Sequence, residues 1–146
     1  MNYFNDKYLH SIDQKGRLLL PRDMRDHFEI KKGDTLYLIP NSSEPPYLEI
    51  RTEVQWERYC EILMQQESGV KKKDFLRYAR ISQESVTLDG QGRIIIPQRL
   101  RDQCKLTKSV AVINMDRFIE VWDKTHVEAR YHDMMKAFRE LNDLLF

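Results

Sequence analysis

The sequence predicts an α+β protein, mainly β with helices, built from two copies of one short unit that pair about a pseudo-twofold axis. Three observations predict it: an internal repeat, short aliphatic strands between turn signals, and helical periodicity between the copies and at the C-terminal end. Residues 13–30 read DQKGRLLLPRDMRDHFEI and residues 89–106 read DGQGRIIIPQRLRDQCKL, an ungapped offset of 76 with six of eighteen positions identical. Chance gives about one identity in such a window. A unit of roughly 45 residues buries too little apolar surface to fold alone, so the halves are expected to share one core, as a barrel.

Each copy is read in the same order. Asp13-x-x-Gly16-Arg17 and Asp89-x-x-Gly92-Arg93 are turns, in which the Asp carboxylate caps backbone N–H groups and Gly accepts positive φ. Leu18-Leu19-Leu20 and Ile94-Ile95-Ile96 are uninterrupted aliphatic triplets, read as strands buried on both faces. Pro21 and Pro97 then open short helices, where the missing N–H costs least. Met24/Phe28 and Leu100/Cys104 supply the apolar side of those helices at i, i+4. Two further strands close each copy: Thr35–Ile39 and Tyr47–Ile50 in the first, Val110–Ile113 and Phe118–Trp122 in the second. Each copy is therefore β-turn-β-α-β-β.

Between the copies, Thr52-Glu-Val-Gln55 resembles a capping box ahead of Trp56, Cys60, Leu63 and Met64 at helical spacing, with Gly69 as its expected stop. Lys71-Lys72-Lys73 opens a second helix with Phe75, Leu76 and Ala79 as its apolar face, and the charge run is read as a solvated surface. Asp123 is a natural N-cap for the last and longest helix. Its apolar residues Val127, Tyr131, Met134, Phe138, Leu141 and Leu145 are spaced 4, 3, 4, 3, 4, the period of a packing seam. The expected organisation is repeat 1 at 8–52, a helical linker at 53–82, repeat 2 at 83–126 and a C-terminal helix at 127–146.

Composition narrows the function classes. The 146 residues carry 24 Lys and Arg against 23 Asp and Glu, a net charge of +1 that excludes a polycation but leaves nucleic-acid binding to the distribution of charge. No apolar run is long enough for a membrane span, and the N-terminus lacks the blocks of a signal peptide. Cys60 and Cys104 have no metal or disulfide spacing and are read as reduced, buried thiols. The four histidines share no ligand-like spacing, so no metal is expected. Phosphate-cradling glycine loops, nucleophile elbows and paired catalytic carboxylates are missing as motifs. The chain is read as not an enzyme, with no cofactor and no small-molecule substrate.

Charge is concentrated in the repeats. Residues 10–25 hold four basic and two acidic side chains, and residues 86–101 hold three and one. Arg17 and Arg93 have two open readings. Their donor forks suit phosphate or guanine; equally, each can pair with the Asp four residues back and staple its own turn. Lys15, Arg22 and Arg25 flank the first arginine; Gln91, Arg99 and Arg101 flank the second.

The motifs Asp13-x-Lys15-Gly16-Arg17-x-x-x-Pro21 and Asp89-x-x-Gly92-Arg93-x-x-x-Pro97 resemble the MraZ family, built from two SpoVT/AbrB-like domains. The aromatic lead-in to His10-Ser-Ile-Asp13 and the segment Ile119-Glu-Val-Trp122-Asp extend the likeness over essentially the whole chain. The resemblance implies an AbrB-like swapped-hairpin β-barrel. It also implies a ring-shaped homo-oligomer larger than a dimer, binding repeated double-stranded DNA elements upstream of the division and cell-wall gene cluster. A repressor in the cytoplasm, associated with the nucleoid, is the expected role. Lys15, Arg17, Arg22, Gln91 and Arg93 are the implied DNA contacts, and Asp13, Gly16, Pro21, Asp89, Gly92 and Pro97 the scaffold. Lysine at position 15 faces Gln91 in the second copy, and Asn41-Ser-Ser-Glu-Pro-Pro46 enlarges the first hairpin. The alternative is an antitoxin-like protein-interaction module, against which stand the patterned terminal helix and the presence of two half-barrels in one chain.

Overall fold

A computed structural model describes residues 5–66 and 69–146; the first residues of the aromatic lead-in, Met1–Phe4, lie outside them. The first repeat runs β1 (Leu9–Ser11), β2 (Arg17–Leu19), α1 (Arg22–His27), β3 (Thr35–Asn41) and β4 (Tyr47–Thr52). Helices α2 (Glu53–Gln65) and α3 (Val70–Ser82) follow. The second repeat is β5 (Glu84–Thr87), β6 (Arg93–Ile95), α4 (Gln98–Gln103), β7 (Ser109–Asn114) and β8 (Ile119–Asp123), ahead of α5 (Lys124–Leu145).

Six strands form one antiparallel sheet in the order β1-β7-β8-β4-β3-β5, and β2 pairs with β6 in a separate ribbon. The order is symmetric about the β8–β4 junction. Each repeat lends its first strand to the other repeat's hairpin, β1 to β7 and β5 to β3. The hairpins are therefore exchanged within one chain. A continuous barrel ladder is not formed: β1 meets β2 only through the single bridge Ile12↔Leu18. The tight Asp13–Arg17 turn separates these strands before a ladder can extend. Ribbon and sheet are joined instead by backbone bonds at the turns, Leu20 N–H to Gly92 O at 2.9 Å and Ile96 N–H to Gly16 O at 2.8 Å.

The shared core lies between the ribbon, α1, α4 and one face of the sheet. Leu18, Leu20, Ile94, Ile96, Leu100, Leu36, Leu48 and Val121 are buried there together. Replacing such a side chain by Ala costs about 2–5 kcal/mol, so the core alone makes each repeat depend on the other. Duplication extends to backbone detail: α1 and α4 both end in a non-glycine residue of positive φ, Glu29 at 54° and Lys105 at 53°.

Helices cover the outer face of the sheet. Thr52 caps α2 by accepting from Gln55 N–H at 3.1 Å, and Asp123 caps α5 by accepting from Thr125 N–H at 3.2 Å. Trp56 and Ala79 pack on Ile39 over repeat 1, and Val127 packs with Trp122 and Ala111 over repeat 2. Gly69 does not end α2, which stops at Gln65; it sits at the N-terminal boundary of α3. The lysine run is only partly a solvated face, because Lys72 Nζ donates to Met64 O and Gln66 O at the end of α2. Beyond its first turns α5 projects: Phe138, Leu141 and Leu145 are exposed. Among the described residues, no helix is long and apolar enough to cross a membrane.

Candidate functional site

The two Asp-x-x-Gly-Arg turns fold alike. Asp13 Oδ1 accepts from Lys15 N–H and Arg17 N–H, both at 2.9 Å, and Oδ2 accepts from Arg17 Nε at 2.6 Å. Asp89 repeats this with Gln91 N–H at 2.8 Å, Arg93 N–H at 2.9 Å and Arg93 Nε at 3.1 Å. Gly16 and Gly92 turn the chain at φ +84° and +80°, in the left-handed region that glycine enters without strain. The backbone N–H of Arg17 is the main reason the Asp13 carboxyl titrates below its ordinary range, with the Arg17 guanidinium and Lys15 N–H adding to it. For Asp89 the Arg93 N–H leads in the same way.

Stapling and display are therefore combined in one side chain. Each arginine spends Nε on its own aspartate, while its terminal nitrogens make no hydrogen bond to another described residue. The guanidinium is held at one edge and open at the other, which suits a fork-like contact to phosphate or a base edge.

The ribbon orients them. Arg17 pairs with Ile95, Leu18 with Ile94 and Leu19 with Arg93. Leu18 and Ile94 point into the core, so strand alternation puts Arg17, Leu19, Arg93 and Ile95 together on the outer face. The triplets are thus not buried on both sides. Leu19 is 46% exposed and Ile95 55%, while Leu20 and Ile96 are buried. The i, i+2 relation of Leu19 to Arg17 was the signal for this, hidden in the sequence by the unbroken aliphatic run.

The flanking residues divide. Lys15, Arg22 and Gln91 are exposed, and the Lys15 and Arg22 side chains make no hydrogen bond to another described residue. Arg25 and Arg101 are structural instead. Arg25 Nε donates to Leu20 O at 3.0 Å and its guanidinium lies against Gly92 of the other repeat; Arg101 mirrors this with Ile96 O at 2.9 Å and Gly16. Arg99 is tied to Glu84 and to Ser82 O, each at 3.0 Å. Pro21 and Pro97 precede the first residues of α1 and α4.

A second place where the repeats meet is the β4–β8 junction, where Glu49 stands directly opposite Glu120. Arg51 neutralises Glu49 through a 2.8 Å ion pair, its guanidinium sandwiched between the Tyr59 and Phe118 rings. Glu120 accepts instead from Trp122 Nε1 at 2.9 Å. Burial, reinforced by the Glu49 charge, pushes its carboxyl above the ordinary range. Burial also pushes the Cys104 thiol up to about 12, leaving it protonated and inert. Among the described residues, no three His, Cys, Asp or Glu side chains gather in a metal-holding group.

A sequence profile described as "MraZ protein, putative antitoxin-like" matches residues 3–77 and 82–143. A protein of Dictyoglomus turgidum named "Transcriptional regulator MraZ" is 32% identical, over 96% of this chain and 94% of that one. Another of that name, from Lachnoclostridium phytofermentans, is 29% identical over 90% and 89%. Among solved structures, the solution structure of PHS018 from Pyrococcus horikoshii superposes at a TM-score of 0.38 with 17% identity, covering 78% of this chain and 83% of that one.

Proposed function

The chain belongs to the MraZ family, and on that premise we propose that it is a transcriptional regulator that grips double-stranded DNA with the β2–β6 ribbon. One observation carries the reading: Arg17 and Arg93 share the outer face of a two-stranded ribbon, each oriented by an aspartate and open at its terminal nitrogens. A two-stranded ribbon fits the major groove, where arginine forks match guanine. Lys15 and Arg22 reinforce the first arginine, and Gln91 stands beside the second. Neither a cofactor nor a small-molecule substrate enters this scheme.

The working form is a ring-like homo-oligomer larger than a dimer. Its support is the projecting part of α5, where Phe138, Leu141 and Leu145 continue an apolar stripe with nothing over it in the single chain. A near-neutral subunit then binds through several modest contacts to successive repeated elements, so avidity replaces single-site strength. The targets are repeated elements upstream of the division and cell-wall gene cluster, and the outcome is repression, in the cytoplasm at the nucleoid.

The test is a gel shift with DNA upstream of this protein's own gene against a shuffled fragment of equal composition. Retention of the first fragment alone is expected; equal retention of both overturns sequence-specific binding. Light scattering coupled to size exclusion checks assembly, and a clean mass near 17.6 kDa defeats the ring. The family's antitoxin-like description favours a second reading, a module that holds a partner protein. A partner displaced by Arg17→Ala, from a chain that retains neither DNA fragment, is the result that selects it.

A further inference from the structure

On the outer face of the ribbon, two large aliphatic side chains stand where the fold has no use for them. Leu19 and Ile95 occupy equivalent positions of the two repeats, half exposed, each directly across from the other repeat's arginine. Neither belongs to the shared core. A fold that needed only to display arginine would gain solubility from Thr, Ser or Lys at these places. The four outward residues instead form a square with arginines on one diagonal and aliphatics on the other.

We propose that Leu19 and Ile95 are specificity-determining residues that read thymine 5-methyl groups beside the bases or phosphates held by Arg93 and Arg17. This rests on the DNA-binding reading above and adds to it the base class that the ribbon selects. The major groove presents one apolar feature, the thymine methyl, and small aliphatic surfaces are what contact it. Spacing agrees. Residues i and i+2 of a strand lie about 6.8 Å apart at a rise of about 3.4 Å each, which equals two base steps of about 3.4 Å along one DNA strand. The pseudo-twofold relation of Leu19 to Ile95 then calls for thymines on opposite DNA strands, one for each repeat.

The experiment uses the full chain and the upstream fragment, prepared by amplification with either thymidine or deoxyuridine triphosphate. Deoxyuridine pairs like thymine but lacks the methyl group. Wild-type protein is expected to bind the thymine fragment about fourfold more tightly per contacted methyl. The Leu19→Ala/Ile95→Ala variant is expected to bind both fragments equally, at the strength wild type shows for the uracil form. Should that variant fail to fold, Leu19→Thr/Ile95→Thr keeps strand propensity and serves in its place. If wild type binds the two fragments equally yet still rejects shuffled DNA, the thymine proposal is overturned and DNA binding stands. Loss of discrimination against shuffled DNA in wild type itself removes both. A variant that keeps the thymine preference, or that changes only the mass of the assembly, assigns these side chains elsewhere and overturns the proposal.

Discussion

The two repeats fold alike and differ in how their charges are balanced. In the first, the arginine turn is backed by Lys15 and the strand glutamate by Arg51; in the second, the corresponding places hold Gln91 and Trp122. The backbone has kept the symmetry that pairing requires, because β2 must fit β6 and β4 must fit β8. Side chains that do not take part in that fit were free to diverge. Fold and function are thus constrained at different residues of the same eighteen-residue motif.

The largest effect should come from breaking the ribbon's display. Arg17→Ala is expected to weaken specific DNA binding by about 1–3 kcal/mol for each engaged subunit, repeated around the oligomer, and Arg93→Ala by less. Lys15→Gln should bring the two arginine variants to parity, measured by titration at fixed salt. Arg17→Ala that assembles and binds like wild type sinks the assignment. Raising salt should weaken wild-type binding steeply, since counterion release drives phosphate contact.

The next effect concerns the glycines. A Cβ at Gly16 would lie 2.8 Å from Ile96 O, a backbone atom with no room to retreat, whereas one at Gly92 meets the Arg25 guanidinium. Gly16→Ala is expected to cost about 2–3 kcal/mol in urea unfolding, from positive φ and the clash together. Gly92→Ala should cost less, since a side chain can move aside.

At the β4–β8 junction the repeats differ by one unbalanced charge. Glu120 has its carboxyl raised above the ordinary 4.5, so the folded state takes up its proton earlier than the unfolded state on acidification. Its stabilising share is complete below 4.5 and is lost as pH rises through the folded value. Glu120→Gln keeps an acceptor for Trp122 Nε1, so it should be more stable than wild type at pH 7 by about 1 kcal/mol. That advantage should vanish below about pH 4.5. A constant difference across that range in paired melting curves rejects the account.

The smallest effect is at the turn carboxylates. Asp13→Asn keeps the acceptor for the Lys15 and Arg17 N–H groups and should melt near wild type; Asp13→Ala should melt several degrees lower. Both aspartates titrate below their ordinary 3.8. They stabilise the fold above that value, and their share is lost as pH falls through the folded pKa. Asp13→Asn and Asp89→Asn should therefore flatten the acid limb, each by about half.

Much of the fold was legible because it rests on local chemistry. The repeat, the Asp-x-x-Gly-Arg turns and the caps at Thr52 and Asp123 are all written in adjacent residues. What was hidden depends on partners distant in sequence. Leu19 reads as core within Leu18–Leu20, and only the pairing with Arg93 turns it outward. Arg25 and Arg101 read as part of a basic patch, yet the Leu20 and Ile96 carbonyls hold them. Glu49 and Glu120 lie far apart in the chain and gave no hint that they would meet.

The exchanged edge strands also govern how the protein is made. During translation β1 leaves the ribosome early, but its partner β7 begins only at Ser109. Until then the first repeat carries an unpaired strand and an aliphatic triplet with no Ile94 to cover it. A nascent chain in that state offers open edges to its neighbours on the same messenger, the situation in which swapping between chains and aggregation compete with folding. A product cut short before the second repeat cannot bury its core and is exposed to proteolysis as an unfolded chain. Synthesis is thereby all or none: no half-length fragment persists to occupy a binding site.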